Sequence, residues 1–195
     1  LSMALGAHIL ARPGTVGKAI PAVEMRIDKP DANGEGEIVA RSGAVMVGYF
    51  GTDQQPIDAE GWYHTGDLGR VDADGYLFIC DRKRDMVISG GVNIYPAEIE
   101  DRIAEHPAVF DVAVIGVPDH EFGQQVKAVV QLEDGVSGSD ELATALIAHT
   151  REVLAGYKCP KSVDFAIGLP RTPTGKLLKR VLLEQYWTNE ETQRS

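Results

Sequence analysis

DRKRDMVISGGVNIYPAEIE, residues 81–100, is the stretch where the chain changes from one architecture to another. Its first five residues are all charged, and such a run is excluded from a protein core, so we expect it at the surface or in a wet cleft. Gly90 and Gly91 follow, and paired glycines let a ligand or another backbone approach closely. Pro96 suits the first position of a helix. The stretch therefore predicts a solvated joint between two bodies, with a ligand nearby.

The residues before this joint have the composition of β-strands. Three segments stand out: AVEMRID at 22–28, GEIVARS at 36–42 and YLFIC at 76–80. Asn-Gly and Asp-Gly dipeptides between them are typical of tight turns, and VDADGYLF reads as a hairpin. We therefore expect residues 1–83 to be β-rich.

After the joint, helical and strand patterns alternate. In chain order these are a helix from Pro96 that Pro107 ends, strands at 111–117 and 125–132, a helix over 140–154, a strand at 162–168 and a helix over 175–187. This order predicts a compact α+β unit over residues 84–187, and residues 188–195 read as a frayed tail.

Apolar spacing assigns the inner faces of two of these helices. Ile99 and Ile103 form an i, i+4 pair on the first. In the helix over 140–154, Ser139 is a suitable N-cap, and three apolar residues are expected on the inner face. These are Leu142, Leu146 and Val153.

Composition excludes several classes of function. The net charge of −10 disfavours a duplex-binding surface or a polybasic membrane anchor. Cys80 and Cys159 lack metal-ligand spacing, so we expect no metal site and a reduced, cytoplasmic setting, although one disulfide stays open. No apolar run is long enough to span a bilayer. The chain begins without Met or a clear first element, so we expect a piece of a longer protein.

Three clusters could carry chemistry, and each has a plain structural alternative. Asp67, in WYHTGDL, could accept two hydrogen bonds from a diol such as a ribose, or could cap a turn. Arg82 could bind ribose or phosphate, or belong to a solvated linker. Lys176 follows the stiff PRTPTG loop within a basic island at 158–180, and could stabilise a reacting phosphate or carboxylate, or be an ordinary surface lysine.

Taken together, the clusters resemble a known family. GWYHTGDLGRVDADGYLFICDRKRDMVISGGVNIYPAEIE and LPRTPTGKLLKR resemble the adenylate-forming superfamily, specifically its acyl-CoA synthetases, and the resemblance runs over residues 12–187. It implies that residues 1–83 are the β-barrel-like end of a large N-terminal domain that binds ATP and the acid. Residues 84–187 would be the whole mobile C-terminal domain.

The resemblance also implies roles for residues that match the family's motifs. Asp67 would hold the ribose hydroxyls of ATP, and Arg82 would contact ribose and phosphate. Arg84 falls at the hinge position, where the family usually has Lys or Asp. Lys176 matches the lysine that acts in adenylation.

A further set of residues is implied in binding CoA. Ser89, Gly90 and Gly91 would let the pantetheine arm pass, while Phe122, Tyr157 and Lys158 would contact the nucleotide of CoA. The implied co-substrates are ATP, with Mg²⁺ held mainly by residues preceding this chain, and CoA. The acid is expected to be fatty or otherwise hydrophobic.

Alternatives remain at this point. The acceptor could be a carrier protein instead of CoA, or the chain could be a non-catalytic nucleotide- or partner-binding module. The 195 residues alone are predicted to be inactive, because most of the ATP site would precede them. Nucleic acid is not expected as a partner. Peripheral membrane association, a homo-oligomer and acetylation of Lys176 are left open.

Overall fold

The computed structural model describes residues 2–4, 6–46, 48, 50 and 56–193, and the chain divides into two compact units. The first unit ends at Arg84 and the second begins at Asp85. The predicted boundary, after residue 83, lies one residue away. The predicted fold class is confirmed, because a curled antiparallel β unit precedes an α+β unit.

The first unit is a six-stranded antiparallel sheet with one short helix. Its elements are β1 (Ser2–Met3), α1 (Gly6–Ala11), β2 (Thr15–Ala19), β3 (Glu24–Asp28), β4 (Gly36–Arg41), β5 (Tyr63–Val71) and β6 (Leu77–Arg82). The strand order is β1-β2-β6-β5-β4-β3. The three predicted strands correspond to β3, β4 and β6, and the predicted hairpin joins β5 to β6.

Strand β4 is the centre of the first unit's core. Ile38, Val39 and Ala40 are almost completely buried there, because β4 lies between β3 and β5. Glu37 is buried in the same strand, at 7% exposure, which is unusual for a carboxylate. Near β4, the ring of Trp62 contacts the guanidinium of Arg41, 4.7 Å from its centroid.

The second unit packs helices against a three-stranded sheet. Its elements are β7 (Val87–Ser89), β8 (Val92–Ile94), α2 (Pro96–Ala104), β9 (Val109–Asp119), β10 (Gly123–Leu132), α3 (Asp140–Arg151), β11 (Ser162–Ala166) and α4 (Lys179–Gln193). The sheet order is β11-β10-β9, with β9 and β10 antiparallel and β10 and β11 parallel. Strands β7 and β8 form a separate hairpin.

The helix predicted from Pro96 is confirmed. It ends at Ala104, before Pro107, and its inner residues Ile99 and Ile103 are 0% and 1% exposed. They join a core cluster that includes Val114 of β9 and Leu146 of α3. Burying each aliphatic side chain of this size contributes about 1.5–3 kcal/mol, so α2 is held mainly by packing.

Helix α3 starts as predicted and ends earlier. The hydroxyl of Ser139 accepts a hydrogen bond from the amide of Leu142 at 3.2 Å. The helix ends at Arg151, and the inward orientation predicted for Val153 is wrong, because that side chain is 67% exposed. The amides of both Val153 and Leu154 bond to the carbonyl of Thr150, which tightens the last turn and brings Leu154 against the core instead.

The C-terminal helix is shifted relative to the prediction. Helix α4 begins at Lys179 instead of residue 175, because residues 171 and 177 form a β-bridge that closes a loop before it. Where a frayed tail is predicted from residue 188, α4 continues to Gln193, since no Gly or Pro interrupts it there. Within the described residues, no helix is long and apolar enough to cross a membrane.

Both cysteines are free thiols. Cys80 belongs to the first unit, and burial raises its pKa to about 12. Cys159 is buried in the second unit, where its thiol lies 3.5 Å from the carbonyl oxygen of Ala155. The disulfide left open by the sequence is therefore not formed.

Candidate functional site

Asp67 and Arg82, the two predicted nucleotide ligands, are direct neighbours. They lie opposite each other on β5 and β6, and the Nε of Arg82 is 2.7 Å from the Oδ1 of Asp67. The Asp67 side chain is 27% exposed and that of Arg82 is 49% exposed. An accessible carboxylate beside an accessible guanidinium can accept hydrogen bonds from a diol and donate to a phosphate at the same place.

A local irregularity in strand β5 sets the orientation of Asp67. Gly66 has a φ of +74°, which favours glycine, and the strand register shifts immediately after Leu68. The hydroxyl of Thr65 donates to the carbonyl of Ile38 at 2.7 Å and accepts from the amide of Asp67 at 3.1 Å. The alternative in which Asp67 caps a turn does not hold, because Asp67 lies within β5 and its carboxylate contacts Arg82.

Glu37, a buried carboxylate, is the centre of a hydrogen-bond network that sequence reasoning missed. Its carboxylate accepts a hydrogen bond from the amide of Gly66 at 3.2 Å and from the ammonium of Lys83 at 2.7 Å, and it lies 3.1 Å from the Nδ1 of His64. The other ring nitrogen of His64 lies 3.3 Å from Asp58. The network joins the irregular part of β5 to the end of the first unit. A Glu inside a predicted strand was the signal available.

The charges in this network shift each other's pKa. Burial alone would raise the pKa of Glu37, but hydrogen bonds from Lys83 and His64 outweigh that effect and lower it below its usual value. The hydrogen bond to Glu37 raises the pKa of His64, against desolvation and with help from Asp58. Both shifts favour the charged forms of the two side chains.

Arg84 is the last residue of the first unit. It lies in the turn that follows β6, two residues beyond Arg82, and is exposed. This position suits a pivot, although the role itself remains a prediction.

Gly90 and Gly91 form the turn of the β7–β8 hairpin. Their φ angles are +56° and +79°, the combination that a two-residue type I′ turn requires, and Ser89 pairs with Val92 across it. The sequence predicts an approach loop here. The structure adds a second reason for the glycines, namely the turn itself.

Phe122 packs against this turn. Its carbonyl accepts a hydrogen bond from the amide of Gly90 at 2.9 Å, and a Cβ on Gly90 would lie 3.0 Å from the Phe122 ring. The Phe122 side chain is 46% exposed. The structure thus brings four of the predicted CoA-binding residues together, namely Ser89, Gly90, Gly91 and Phe122.

Tyr157 and Lys158 lie near the same end of the sheet. They precede β11, whose first residue pairs with Lys127, the fifth residue of β10. Because β11 runs parallel to β10, the residues before it lie toward the start of β10, which Phe122 immediately precedes. Tyr157 is 54% exposed, and Lys158 forms a 2.6 Å ion pair with Glu98. Tyr157 is therefore accessible for stacking, whereas Lys158 already has an acidic partner.

Lys176 is presented by a rigid loop, residues 170–178, called the lysine loop below. Gly175, with a φ of +84°, donates its amide to the carbonyl of Thr172. The amide of Lys176 donates to the hydroxyl of Thr172 at 3.0 Å, and its carbonyl accepts from the amide of Thr172 at 2.8 Å. Within the described residues of its own unit, the Lys176 ammonium has no hydrogen-bond or ion-pair partner.

Most neighbouring cations of the basic island are neutralised internally. The ion pairs are Lys158–Glu98, Arg171–Asp111, Lys179–Glu100 and Arg180–Glu184. The composition of the basic island suggests one continuous anion-binding surface, but these ion pairs show that it is not one. Lys176 differs from these neighbours because its charge is available to a ligand.

The lysine loop and the Gly90–Gly91 turn lie at opposite ends of β9. Arg171 of the loop binds Asp111 near the start of the strand, whereas Phe122, which contacts the turn, follows the strand's last residue, Asp119. At about 3.3 Å per residue, the eight residue steps between Asp111 and Asp119 correspond to roughly 26 Å. One body thus carries two separate candidate functional surfaces.

Comparison with known proteins identifies the family. Residues 98–176 match the family model of the AMP-binding enzyme C-terminal domain. Over 191 residues the chain is 40% identical to the long-chain-fatty-acid–CoA ligase FadD13 of Mycobacterium tuberculosis. The chain belongs to the adenylate-forming superfamily. The resemblance stated from the motifs is thereby confirmed.

Other members of the adenylate-forming superfamily match equally broadly. A feruloyl-CoA synthase of an Amycolatopsis species is 43% identical over 182 residues, which is 89% of this chain and 36% of that protein. The solved structure of o-succinylbenzoate CoA synthetase from Bacillus subtilis, in complex with its acyl-adenylate intermediate, superposes with a TM-score of 0.82 at 33% identity. That match covers 93% of this chain and 38% of the synthetase, and the FadD13 match covers 95% and 37%. The chain spans a little over a third of the length of these relatives.

Proposed function

We propose that this chain is part of an ATP-dependent carboxylic acid–CoA ligase, acting on a fatty or other hydrophobic acid. The enzyme would first form an acyl adenylate and then transfer the acyl group to CoA. The names of the relatives support CoA as the acceptor in preference to a carrier protein. CoA appears in the names of the fatty-acid ligase, the feruloyl synthase and the succinylbenzoate synthetase. Their acids differ, and the fatty-acid enzyme is the relative that supports the substrate class.

Asp67 and Arg82 would hold the nucleotide. The exposed edge of the Asp67 carboxylate would accept hydrogen bonds from the ribose hydroxyls, and the remaining N–H groups of Arg82 would donate to ribose and phosphate oxygens. Their 2.7 Å contact fixes the two groups relative to each other before the nucleotide binds. The described residues contain no group of three potential metal ligands, so Mg²⁺ would be held elsewhere, and no step is assigned to it in this chain.

Lys176 would serve the first half-reaction. A carboxylate oxygen of the acid attacks the α-phosphorus of ATP, the bond from that phosphorus to the bridging oxygen breaks, and pyrophosphate leaves. Negative charge accumulates around the α-phosphate, where an ammonium ion stabilises it. The unpaired charge of Lys176 on a rigid loop is the single observation that carries this assignment.

The opposite end of β9 would serve the second half-reaction. The thiolate of CoA attacks the acyl carbonyl carbon of the adenylate, and AMP leaves. Gly90 and Gly91 would leave room for the pantetheine arm, and Phe122, Tyr157 and Lys158 would contact the nucleotide of CoA. Because the two surfaces lie at opposite ends of β9 on one body, rotation at Arg84 would present them alternately to the nucleotide.

The test is to replace Lys176 by Ala in the full-length enzyme and assay the two half-reactions separately. We expect adenylate formation, measured by ATP–pyrophosphate exchange, to fall by about 10²–10³-fold, as when a charge-stabilising donor is removed. Thioester formation from supplied acyl-AMP should be retained. Arg180→Ala, which removes an exposed cation four residues away, is the matched control. Equal loss of both half-reactions would contradict the assignment.

A further part of the proposal is that the 195 residues alone do not complete the reaction. The supporting fact is that the relatives are nearly three times longer than the part that matches. Acyl-CoA formation by the purified chain at the rate of the full-length enzyme would disprove it.

A further inference from the structure

Two ion pairs hold the lysine loop in place, one near its start and one at Lys179, the residue that directly follows it. One tie is the ion pair between Lys179 and Glu100, and the other is the ion pair between Arg171 and Asp111. We propose that Glu100 and Asp111 are positioning residues, which fix the Lys176 ammonium where the adenylation reaction needs it. This inference rests on the proposed function.

Glu100 connects three elements through one carboxylate oxygen. On α2, its Oε1 accepts a hydrogen bond from the amide of Val114 at 2.6 Å and lies 2.7 Å from the Nζ of Lys179. Val114 belongs to β9, the last strand in the sheet order, so its amide is available to a side chain. The side chains of Glu100 and Lys179 are 19% and 11% exposed, and little-exposed pairs depend strongly on good geometry.

Lys179 transmits this constraint to the loop. It is the first residue of α4 and stands three residues after Lys176. Its low exposure leaves its ammonium little freedom to move away from Glu100. The start of α4 is therefore fixed to α2 and β9 at a point three residues after the proposed catalytic lysine.

Asp111 fixes the other end of the loop. Both of its carboxylate oxygens accept hydrogen bonds from Arg171, over distances of 2.6–3.0 Å. The Nη1 of Arg171 also donates to the carbonyl of Gly175 at 2.6 Å. A continuous set of contacts thus runs from β9 through Arg171 to the residue directly before Lys176.

The two ties make the lysine loop move as one body with the sheet. Between them, the loop is closed by the paired hydrogen bonds of Thr172 and Lys176. If either tie is weakened, the ammonium should shift, and misplacing a catalytic group by about 1 Å can cost about 10²-fold in rate. The Gly90–Gly91 turn, at the far end of β9, should be unaffected.

The experiment uses Glu100→Gln and Asp111→Asn in the full-length enzyme. Glu100→Gln retains an oxygen for the Val114 amide and removes the charge that binds Lys179. We expect each variant to lower ATP–pyrophosphate exchange by about 10- to 100-fold. Thioester formation from supplied acyl-AMP should stay within about threefold of the parent enzyme, since that surface is unchanged. Glu184→Gln, which removes an exposed carboxylate paired with Arg180, is the matched control and should change neither rate.

Each outcome decides the question. A selective loss of adenylation supports the inference, because simple destabilisation would lower both half-reactions together. Parent-like adenylation in both variants, or equal loss of both half-reactions, overturns it. If Lys176→Ala is impaired in adenylation while these variants are not, only the positioning role fails. If Lys176→Ala is normal, the proposed function fails and the positioning role with it. Should Glu100→Gln not fold, the more exposed Asp111 pair carries the same test.

Discussion

Substitution of Gly91 should affect stability and CoA transfer for two separable reasons. Its φ of +79° is in the left-handed region, and a Cβ at this position would meet nothing within 4 Å. The cost of Gly91→Ala is therefore a backbone cost, about 1–2 kcal/mol for an L-residue held in this conformation. For a unit of roughly 100 residues, each kcal/mol corresponds to a decrease of about 4–8 °C in the melting temperature.

Gly90 provides a useful contrast. Its φ of +56° imposes a similar backbone cost, but a Cβ would also lie 3.0 Å from Cδ1 of Phe122. Phe122 is 46% exposed, so its ring can move aside by the few tenths of an ångström required. We expect Gly90→Ala to be at least as destabilising as Gly91→Ala, and to change the surroundings of Phe122, whereas Gly91→Ala should not.

Gly91→Asn separates the two effects. Asn adopts the left-handed region far more readily than Ala, so most of the lost stability should return. Its side chain still projects from the turn, so thioester formation from supplied acyl-AMP should remain reduced while ATP–pyrophosphate exchange is normal. Thermal unfolding and the two half-reactions, measured on the same preparations of the full-length enzyme, test this directly.

Two results would refute this reasoning. An unchanged melting temperature for Gly91→Ala would mean that the turn does not require a glycine. Parent-like thioester formation by Gly91→Asn would mean that the glycine serves the turn alone and that CoA does not pass it.

Two further predictions concern stability. Ser139→Ala should destabilise the protein by about 0.5–2 kcal/mol, because the amide of Leu142 loses its capping partner. The loss is measured as a shift in the urea midpoint, and Ser139→Asp should restore that midpoint. An unchanged midpoint for Ser139→Ala would contradict the role of the cap. The pKa of His64 is raised in the folded state, so its stabilisation should be complete below its ordinary pKa of 6.5 and be lost as the pH rises through the folded value. The pKa of Glu37 is lowered in the folded state, so its stabilisation should be present above its ordinary pKa of 4.5 and be lost as the pH falls through the lowered value. The difference in urea midpoint between the parent and His64→Gln should therefore shrink above about pH 6.5, and a difference that grows there would show the opposite linkage.

Features set by local chemistry could be predicted from the sequence. Pro96 at the first position of α2, its inner residues Ile99 and Ile103, and the Ser139 cap all depend on residues within one or two helical turns. The family motifs also located the candidate site residues, because each motif is a contiguous stretch. Val153 shows the limit of periodicity, since a tightened last turn rotated it outward.

Features that depend on distant residues could not be predicted. Strand β5 contains Gly66, Asp67 and Gly69, which are poor strand formers, and it forms because β4 and β6 pair with it on either side. A Cβ on Gly69 would lie 2.5 Å from the carbonyl oxygen of Phe78, so close strand packing explains that glycine. The carboxylate of Glu37 similarly gains its role from Lys83, 46 residues away.

Each of the two units contains its own fluorescent side chain. The chain has two tryptophans, Trp62 in the first unit and Trp187 in the second. The indole of Trp62 lies beside the guanidinium groups of Arg26 and Arg41, at 4.4 and 4.7 Å, whereas the Nε1 of Trp187 donates to the carbonyl of Gly116 at 3.3 Å. Within this chain, replacing either indole by Phe leaves emission from the other unit alone. Tryptophan fluorescence can therefore follow the unfolding of the two halves one at a time.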